Sequence, residues 1–307
     1  MKAICGIDLG GTKIEGVLLQ INANTYQVLD RQRVPTEKEK GYDHIIDQIK
    51  QLIENLESTN NYKIETLGIG TPGTLDPTTQ KIKNSNTTCL NGKPLKKDLE
   101  KALNVPIQMA NDANCFALAE ATLGIVPNQI QDPKIVFGVI LGTGVGGGLV
   151  VDGQVISGRQ GICGEWGHNF LDNAGYECFC GQKGCVETII SGTALEKYYA
   201  EQSGGFKKLK DILALHLAGT DPLATATIKR LLQYFGKAIA QIINLIDPEA
   251  IVLGGGVGNI DLLYTEGIEQ VKKYVFNDRL DTKILKPKLG DSAGVFGAAM
   301  LVYPTKT

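Results

Sequence analysis

The chain has 307 residues, a formal net charge of -2 at pH 7 and a pI near 6.0. A broad nucleic-acid surface needs an excess of basic residues, so this balance excludes one and we expect no nucleic-acid partner. The length favours two domains over one core, and 43% hydrophobic and 21% charged residues are ordinary for a globular protein.

The predicted compartment is cytoplasmic. Asp8 interrupts the first apolar run, so no signal peptide is predicted. The uncharged run Ile135–Val151 contains six glycines and is interpreted as strand–loop–strand, so no membrane partner is expected. Seven cysteines, an odd number without a secretion signal, favour metal binding or inert thiols over disulfides.

The first half of the chain is predicted to alternate strands and helices. Short apolar runs between turn residues indicate strands, and apolar residues at helical spacing indicate helices. In chain order we predict strands at Ala3–Leu9, Ile14–Ile21 and Gln27–Val34, a helix across Ile45–Leu56, a strand at Ile64–Ile69, a loop at Lys83–Pro94, a strand at Val105–Ala110 and a helix at Ala113–Leu123.

The second half is predicted to repeat this plan. It opens with a strand, a glycine turn and a strand at 135–151, followed by an Asp152-Gly153 hairpin. After a cysteine-rich insert we predict helices at 192–202, 206–217 and Leu223–Ile246, a strand at Ile251–Leu253, a helix near Leu262–Phe276, and a closing helix to Leu301 capped by Asp291-Ser292. Two halves of this kind indicate a duplicated α/β architecture.

Two glycine turns occupy matching places in the two halves. Gly142-x-Gly144-x-x-Gly147 fits a dinucleotide fingerprint, but a strand follows where that motif needs a helix. Gly6 to Lys13 fails as a P-loop because Thr12 and Lys13 stand in the wrong order. Either turn alone could be a β-turn without a ligand. Because there are two, we interpret them as backbone sites for phosphate.

Two aspartates follow buried strands. Asp8 precedes the first glycine turn, where it either caps the turn or serves a charged ligand, because an unpaired buried carboxylate is costly. Asp112 lies at a strand–helix junction. Its residue type and place favour a helix N-cap over catalysis when the residues are considered alone.

His168, Cys178, Cys180 and Cys185 offer four metal ligands within 18 residues. Zinc prefers a tetrahedral shell of nitrogen and sulfur, and the glycines at 181 and 184 favour a tight knuckle. The alternative is three buried thiols and a surface histidine. We predict a structural zinc site.

Several of these segments together resemble the ROK family of bacterial sugar kinases and sugar-responsive repressors. They are Asp8–Lys13, Asn111–Asn114, Gly142–Gly148, Gly164–His168, Cys178–Glu187, Gly254–Gly256 and Gly290–Gly294. The resemblance implies an actin-like, ribonuclease-H-like ATPase fold, with two α/β domains closing on a cleft. We place a smaller domain at residues 1–112, with the closing helix 291–307 returning to it, and a larger, zinc-binding domain at 113–290.

The resemblance also implies roles for individual residues. Asp112 would be the catalytic base, Asp8 would lie on the Mg²⁺ side of the phosphates, and His168 would bind zinc and sugar with its two ring nitrogens. The implied sugar contacts are Asn86, Asn111, Asp112, Glu165, His168 and Glu187. The implied ATP contacts are Asp8, Gly10, Gly11, Thr12, Lys13, Gly142, Thr143, Gly144, Gly146, Gly254, Gly255 and Gly256.

The expected activity is ATP-dependent phosphorylation of a hexose by a homodimer. Lys83–Gly92 and the residues around Trp166 resemble the fructokinase/mannokinase branch most, although Cys89 stands where that branch suggests an aromatic residue. The alternatives are an N-acetylglucosamine kinase or a glucokinase. A sugar-sensing repressor is disfavoured because only seven residues precede Asp8, and a non-catalytic sugar-binding module because Asp112 and both glycine turns are present.

Overall fold

A computed structural model describes residues 3–22 and 25–304. The strands are β1 (Ala3–Leu9), β2 (Lys13–Asn22), β3 (Thr25–Pro35), β4 (Leu67–Thr71), β5 (Thr74–Leu75), β6 (Ile82–Lys83), β7 (Ile107–Asn111), β8 (Ile135–Leu141), β9 (Val145–Val151), β10 (Gln154–Val155), β11 (Ala250–Gly254) and β12 (Lys283–Leu285). The helices are α1 (Tyr42–Asn60), α2 (Leu95–Leu103), α3 (Asp112–Thr122), α4 (Glu187–Ile190), α5 (Gly192–Ser203), α6 (Leu209–Ala218), α7 (Pro222–Ile246), α8 (Gly255–Gly258), α9 (Glu266–Lys272) and α10 (Ala293–Met300). In the described ranges, no helix combines the length and the apolar character needed to cross a membrane.

The two large sheets share one plan. The first has the order β3-β2-β1-β4-β7, in which β1 to β3 run antiparallel and β4 and β7 lie parallel to β1. The second has the order β10-β9-β8-β11-β12, in which β9 and β10 are antiparallel, and β11 and β12 lie parallel to β8. The repeated strand order confirms the predicted duplication of the α/β core.

The described residues form two compact units. Unit 1 comprises those within 1–134, 148–164 and 288–307, and unit 2 those within 135–147 and 165–287. In unit 1, Ile45, Ile49 and Leu52 of α1 are fully buried in the core beside the first sheet. In unit 2, α7 buries a continuous apolar face that includes Phe235 and Ile239.

Helix α10 packs on the first sheet at backbone distance. A Cβ atom at Gly68 would lie 1.7 Å from the carbonyl oxygen of Ala298, and one at Gly6 would lie 2.3 Å from a backbone nitrogen of the same helix. On the helix itself, a Cβ at Gly297 would lie 1.8 Å from the carbonyl oxygen of Cys115. No side chain fits at these three positions, so the glycines permit the close contact.

The predicted elements are present with shifted boundaries. The hairpin at Asp152-Gly153 is confirmed, since both residues have positive φ, at 48° and 74°. The strand predicted from Ile64 begins at Leu67, although Ile64 is buried. The helix predicted near 262–276 is shorter: a 3₁₀ turn precedes α9.

One helix was missed, and one predicted helix cap was wrong. No element was predicted between Pro94 and Val105, where α2 buries Leu95 and Leu99 one turn apart. Ser292 does not cap α10, because a 3₁₀ turn leads directly into the helix. Its hydroxyl instead accepts a hydrogen bond of 2.8 Å from Nη1 of Arg31.

Candidate active site

Helix α3 begins directly at the end of β7, and Asn111 is its N-cap. The side-chain oxygen of Asn111 accepts the backbone N–H of Asn114 at 2.8 Å. Asp112 is therefore the first helical residue, and its Oδ1 accepts the adjacent N–H of Ala113 at 2.8 Å. The capping role considered for Asp112 belongs to Asn111, which leaves the Asp112 carboxylate for another task.

The charge of Asp112 acts on the carboxyl group of Asp8. Burial, together with the charges of Asp112 and Glu15, raises the pKa of Asp8 to about 6. Burial also raises the pKa of Asp112, opposed by the hydrogen bond from Ala113. A carboxyl group whose pKa is raised in part by a second carboxylate marks a place for a cation or a proton.

The first glycine turn, Gly10–Thr12, joins β1 to β2. Its backbone closes through a 2.9 Å hydrogen bond from Gly10 N–H to the carbonyl of Lys13. The hydroxyl of the buried Thr36 donates to the carbonyl of Gly10 at 2.7 Å, and its N–H donates to the carbonyl of Thr12 at 3.0 Å. Thr36 thus holds this turn in place.

Lys13 is engaged beside the turn. Its Nζ lies 3.3 Å from Oε2 of Glu15, which is 1% exposed and also pairs with Arg31 and Arg33. Burial opposes the charge of Glu15, but hydrogen bonds from these cations outweigh it and lower the pKa of the carboxyl group. Three cations around one carboxylate leave a positive excess next to the first glycine turn.

The second glycine turn, Gly142–Gly144, is shorter than predicted because β9 begins at Val145. The carbonyl of Gly142 accepts the N–H of Gly192 at 2.8 Å. Oε2 of Glu187 accepts the N–H of Val145 at 2.9 Å. The backbone of Gly192 and the side chain of Glu187 therefore hold this turn and the residue that follows it.

Internal packing does not explain every glycine of these segments. A Cβ at Gly255 would lie 2.3 Å from the carbonyl oxygen of Leu141, and Gly255 has a φ of 80°. At Gly142 and Gly256, by contrast, no described protein atom lies within 4 Å of a built Cβ. Bare backbone facing open space is what close approach of a phosphate requires.

His168, Cys178, Cys180 and Cys185 come together as predicted, with all four ligand atoms within 4.8 Å of one another. Cys178 Sγ lies 3.4 Å from His168 Nδ1, and Cys180 Sγ lies 3.6 Å from Cys185 Sγ. A tetrahedral site with Zn–S bonds of about 2.3 Å has ligand–ligand edges of about 3.7 Å. The donor set and its spacing fit zinc, with Nδ1 as the histidine ligand.

The predicted sugar contacts are divided between the two units. Asn111 and Asp112 lie in unit 1, as does Asn86, which is exposed in the loop after β6. Glu165, His168 and Glu187 lie in unit 2, all half-buried. Within unit 2, Glu165 directly precedes the 3₁₀ turn Trp166–His168, which carries the metal ligand His168, and Glu187 begins α4 two residues after the metal ligand Cys185.

Sequence reasoning missed two residues that support the glycine turns, Thr36 and Trp166. Nε1–H of Trp166 donates to the carbonyl of Gly146 at 3.0 Å. A lone tryptophan between two predicted site residues was the available signal, whereas nothing in the local pattern distinguishes Thr36.

Known proteins resemble the chain along almost its whole length. The ROK family model matches residues 4–304. The N-acetyl-D-glucosamine kinase of Vibrio parahaemolyticus is 38% identical over 311 residues, covering 96% of this chain and 98% of that protein. The crystal structure of a ROK hexokinase from Thermus thermophilus has a TM-score of 0.87 at 31% identity, covering 98% of each chain.

A further solved structure is that of a ROK family glucokinase from Streptomyces griseus in complex with glucose and AMPPNP. It has a TM-score of 0.73 at 26% identity and covers 98% of this chain and 99% of that one. Together with the two matching sheets, these likenesses confirm the expected actin-like ATPase fold.

Proposed function

The chain belongs to the ROK family, and we propose that this ATP-dependent sugar kinase acts on N-acetyl-D-glucosamine. The observation that carries the choice of sugar is the 38% identity, over 96% of the chain, to a kinase named for that sugar. Fructose was the first expectation from Lys83–Gly92 and the surroundings of Trp166. The relatives favour the alternative.

Cys89 supports the change of substrate. It lies half-buried in the 3₁₀ turn Thr88–Leu90 and packs against the core of unit 1. An aromatic residue there would occupy more volume on a loop that we expect to border the sugar. A smaller side chain leaves room for an N-acetyl group, and a site that pairs with its amide would reject sugars that lack it.

Asp112 is the proposed catalytic base. It would accept the proton of the attacking sugar hydroxyl as the new oxygen–phosphorus bond forms and the bond to ADP breaks. Partial desolvation raises the pKa of its carboxyl group, which makes it a better proton acceptor than a fully solvated aspartate. Because Asn111 supplies the helix cap, Asp112 can take the proton without releasing the helix end.

The nucleotide is assigned to the glycine turns and to Asp8. The open space beside Gly142 and Gly256 gives phosphate oxygens room to approach, and Asp8, repelled by Asp112 and Glu15, fits a site near a divalent cation. Bound with ATP, Mg²⁺ would neutralise charge on the phosphate oxygens. The residues themselves would then mainly position the γ-phosphate.

The metal cluster is assigned a structural role. With Nδ1 of His168 facing Cys178, Nε2 remains to hydrogen-bond a sugar hydroxyl, and the ligation fixes both tautomer and ring plane. Glu165 and Glu187 would accept hydroxyls beside it. These contacts read groups that many hexoses share, so the choice among sugars must come from flanking residues.

The test is an ADP-release assay with N-acetylglucosamine, fructose, glucose and mannose, followed by direct competition at equal concentrations. We expect the highest kcat/KM for N-acetylglucosamine, and we expect N-acetylglucosamine phosphate to be the main product of the competition. If fructose phosphate is the main product, the fructokinase assignment is the better one. If none of these four sugars makes the protein consume ATP, the proposal as a whole is contradicted.

Cys89→Phe examines the same choice from the protein side. We expect it to lower kcat/KM for N-acetylglucosamine by about tenfold or more relative to glucose, because the ring takes the space of the N-acetyl group. Cys89→Ser, which keeps the volume, is the control and should leave the ratio near that of the wild type. An unchanged ratio in the phenylalanine variant would remove Cys89 from specificity.

A further inference from the structure

The second glycine turn is held by the segment that carries the metal ligands and the proposed sugar contacts. Glu187 accepts the N–H of Val145 at 2.9 Å, and Trp166 donates its indole N–H to the carbonyl of Gly146 at 3.0 Å. These two side chains thus bond to adjacent residues immediately after Gly142–Gly144. All of these residues belong to unit 2.

The contact is also sterically tight. A Cβ at Gly144 would lie 2.5 Å from Oε2 of Glu187, and one at Gly167 would lie 2.4 Å from the carbonyl oxygen of Val145. Gly144 therefore admits the carboxylate of Glu187, and Gly167 lets the backbones of the two segments touch. A shift of the 3₁₀ turn Trp166–His168 or of the start of α4 must move the glycine turn as well.

Trp166 is well placed to transmit such a shift. Its side chain is 6% exposed and packs edge-on against Phe137 of β8, with ring centroids 6.3 Å apart. Its neighbours in sequence are Glu165 and, two residues on, the metal ligand His168. The indole has one hydrogen-bond donor, and that donor binds the carbonyl of Gly146, just beyond the glycine turn.

We propose that Trp166 and Glu187 are positioning residues that align the second glycine turn for the phosphates of ATP. This inference rests on the proposed kinase function and extends it. One carboxylate oxygen of Glu187 holds the turn, while the other can accept a sugar hydroxyl. Sugar binding and nucleotide binding are thereby coupled through a shared side chain, and such coupling must be reciprocal.

Trp166→Phe tests the positioning role, since it keeps an aromatic ring and removes the N–H donor. We expect KM for ATP to rise roughly threefold to tenfold, the scale of one lost hydrogen bond, with KM for the sugar within about twofold of wild type. Phe137→Leu is the matched control. It disturbs the same aromatic packing and keeps the bond to Gly146, so it should not raise KM for ATP selectively.

Fluorescence gives a second readout that needs neither turnover nor the variant. Trp166 is the single tryptophan, so its emission reports on this contact alone. Binding of a non-hydrolysable ATP analogue should change that emission, and added sugar should shift the midpoint of the titration. The positioning role would be overturned if the ATP analogue does not change the emission. It would also be overturned if Trp166→Phe raises KM for ATP and KM for the sugar equally.

The two proposals can fail separately. If the wild type phosphorylates none of the sugars yet its emission responds to the ATP analogue, the kinase assignment falls and the link between Trp166 and the glycine turn stands. If sugar phosphorylation is normal and the emission does not respond to the ATP analogue, the kinase assignment stands and the link between Trp166 and the glycine turn falls.

Discussion

Asn111 and Asp112 are adjacent, and the side chain that caps helix α3 is that of Asn111. Asp112→Asn should keep the fold and sugar affinity but lower kcat by about 10²- to 10⁴-fold, because an amide cannot accept the proton. Steady-state kinetics and isothermal titration with sugar measure the two effects. A near-normal kcat in this variant would show that Asp112 is not the catalytic base.

The control for the fold is Asn111→Asp, which should keep the free energy of unfolding near that of the wild type because aspartate caps helices as well as asparagine does. Asn111→Ala, in contrast, should lower the free energy of unfolding by about 1 kcal/mol, the usual cost of losing an N-cap. If Asp112→Asn destabilises the protein as much as Asn111→Ala does, the capping assignment drawn from the 2.8 Å contact to Asn114 is wrong.

Asp8 should make stability depend on pH. Its pKa rises from 3.8 to about 6 on folding, so the folded state holds this proton more tightly than the unfolded state. The resulting stabilisation is complete below about pH 4 and is lost as pH rises through 6. Relative to Asp8→Asn, the wild type should lose up to about 3 kcal/mol between these values. Urea unfolding in EDTA measures this, and parallel curves for both proteins would contradict it.

At the scale of elements, the loop from Asn169 to Cys185 should depend on its metal. We expect one zinc per chain in the wild type and none in Cys180→Ser, with a raised KM for sugar because His168 and Glu187 lose their support. Elemental analysis and kinetics check the two parts. Cys163→Ser, a cysteine outside the cluster, is the control and should keep its metal. Active wild type without zinc would contradict the assignment.

Local patterns predicted most elements, and they failed where tertiary contacts decide. The two glycine turns follow from strand–turn–strand patterns within a few residues, as does the hairpin at Asp152. Helix α2 was missed because it follows a segment rich in asparagine and threonine, although Leu95 and Leu99 have helical spacing. The bond from Trp166 to Gly146 joins residues twenty positions apart, and no local pattern encodes it.

The choice between Asn111 and Asp112 as the cap illustrates a second limit. Both residue types cap helices, so composition cannot separate them. The decision depends on where β7 ends, and element boundaries are the least certain part of any prediction from a single sequence. Once the strand is seen to run through Asn111, the assignment of both residues follows.

For the whole molecule we expect a homodimer, as the resemblance to the family implies. Sedimentation equilibrium should then give twice the 33.0 kDa of one chain at micromolar concentration. Addition of sugar and nucleotide should raise the melting temperature through mass action, because only the folded state binds them. A mass of one chain across the concentration range would contradict the dimer.

The close packing of α10 has a consequence for synthesis. Gly6 and Gly68 lie in strands made early in translation, yet the helix that covers them is made near the end. Every residue of unit 2 precedes residue 288, so that unit can complete its core first. The order is the reverse of the usual N-terminal-first folding of nascent chains. The face of the first sheet that α10 covers is therefore made before its partner and lacks that cover until the helix itself is made.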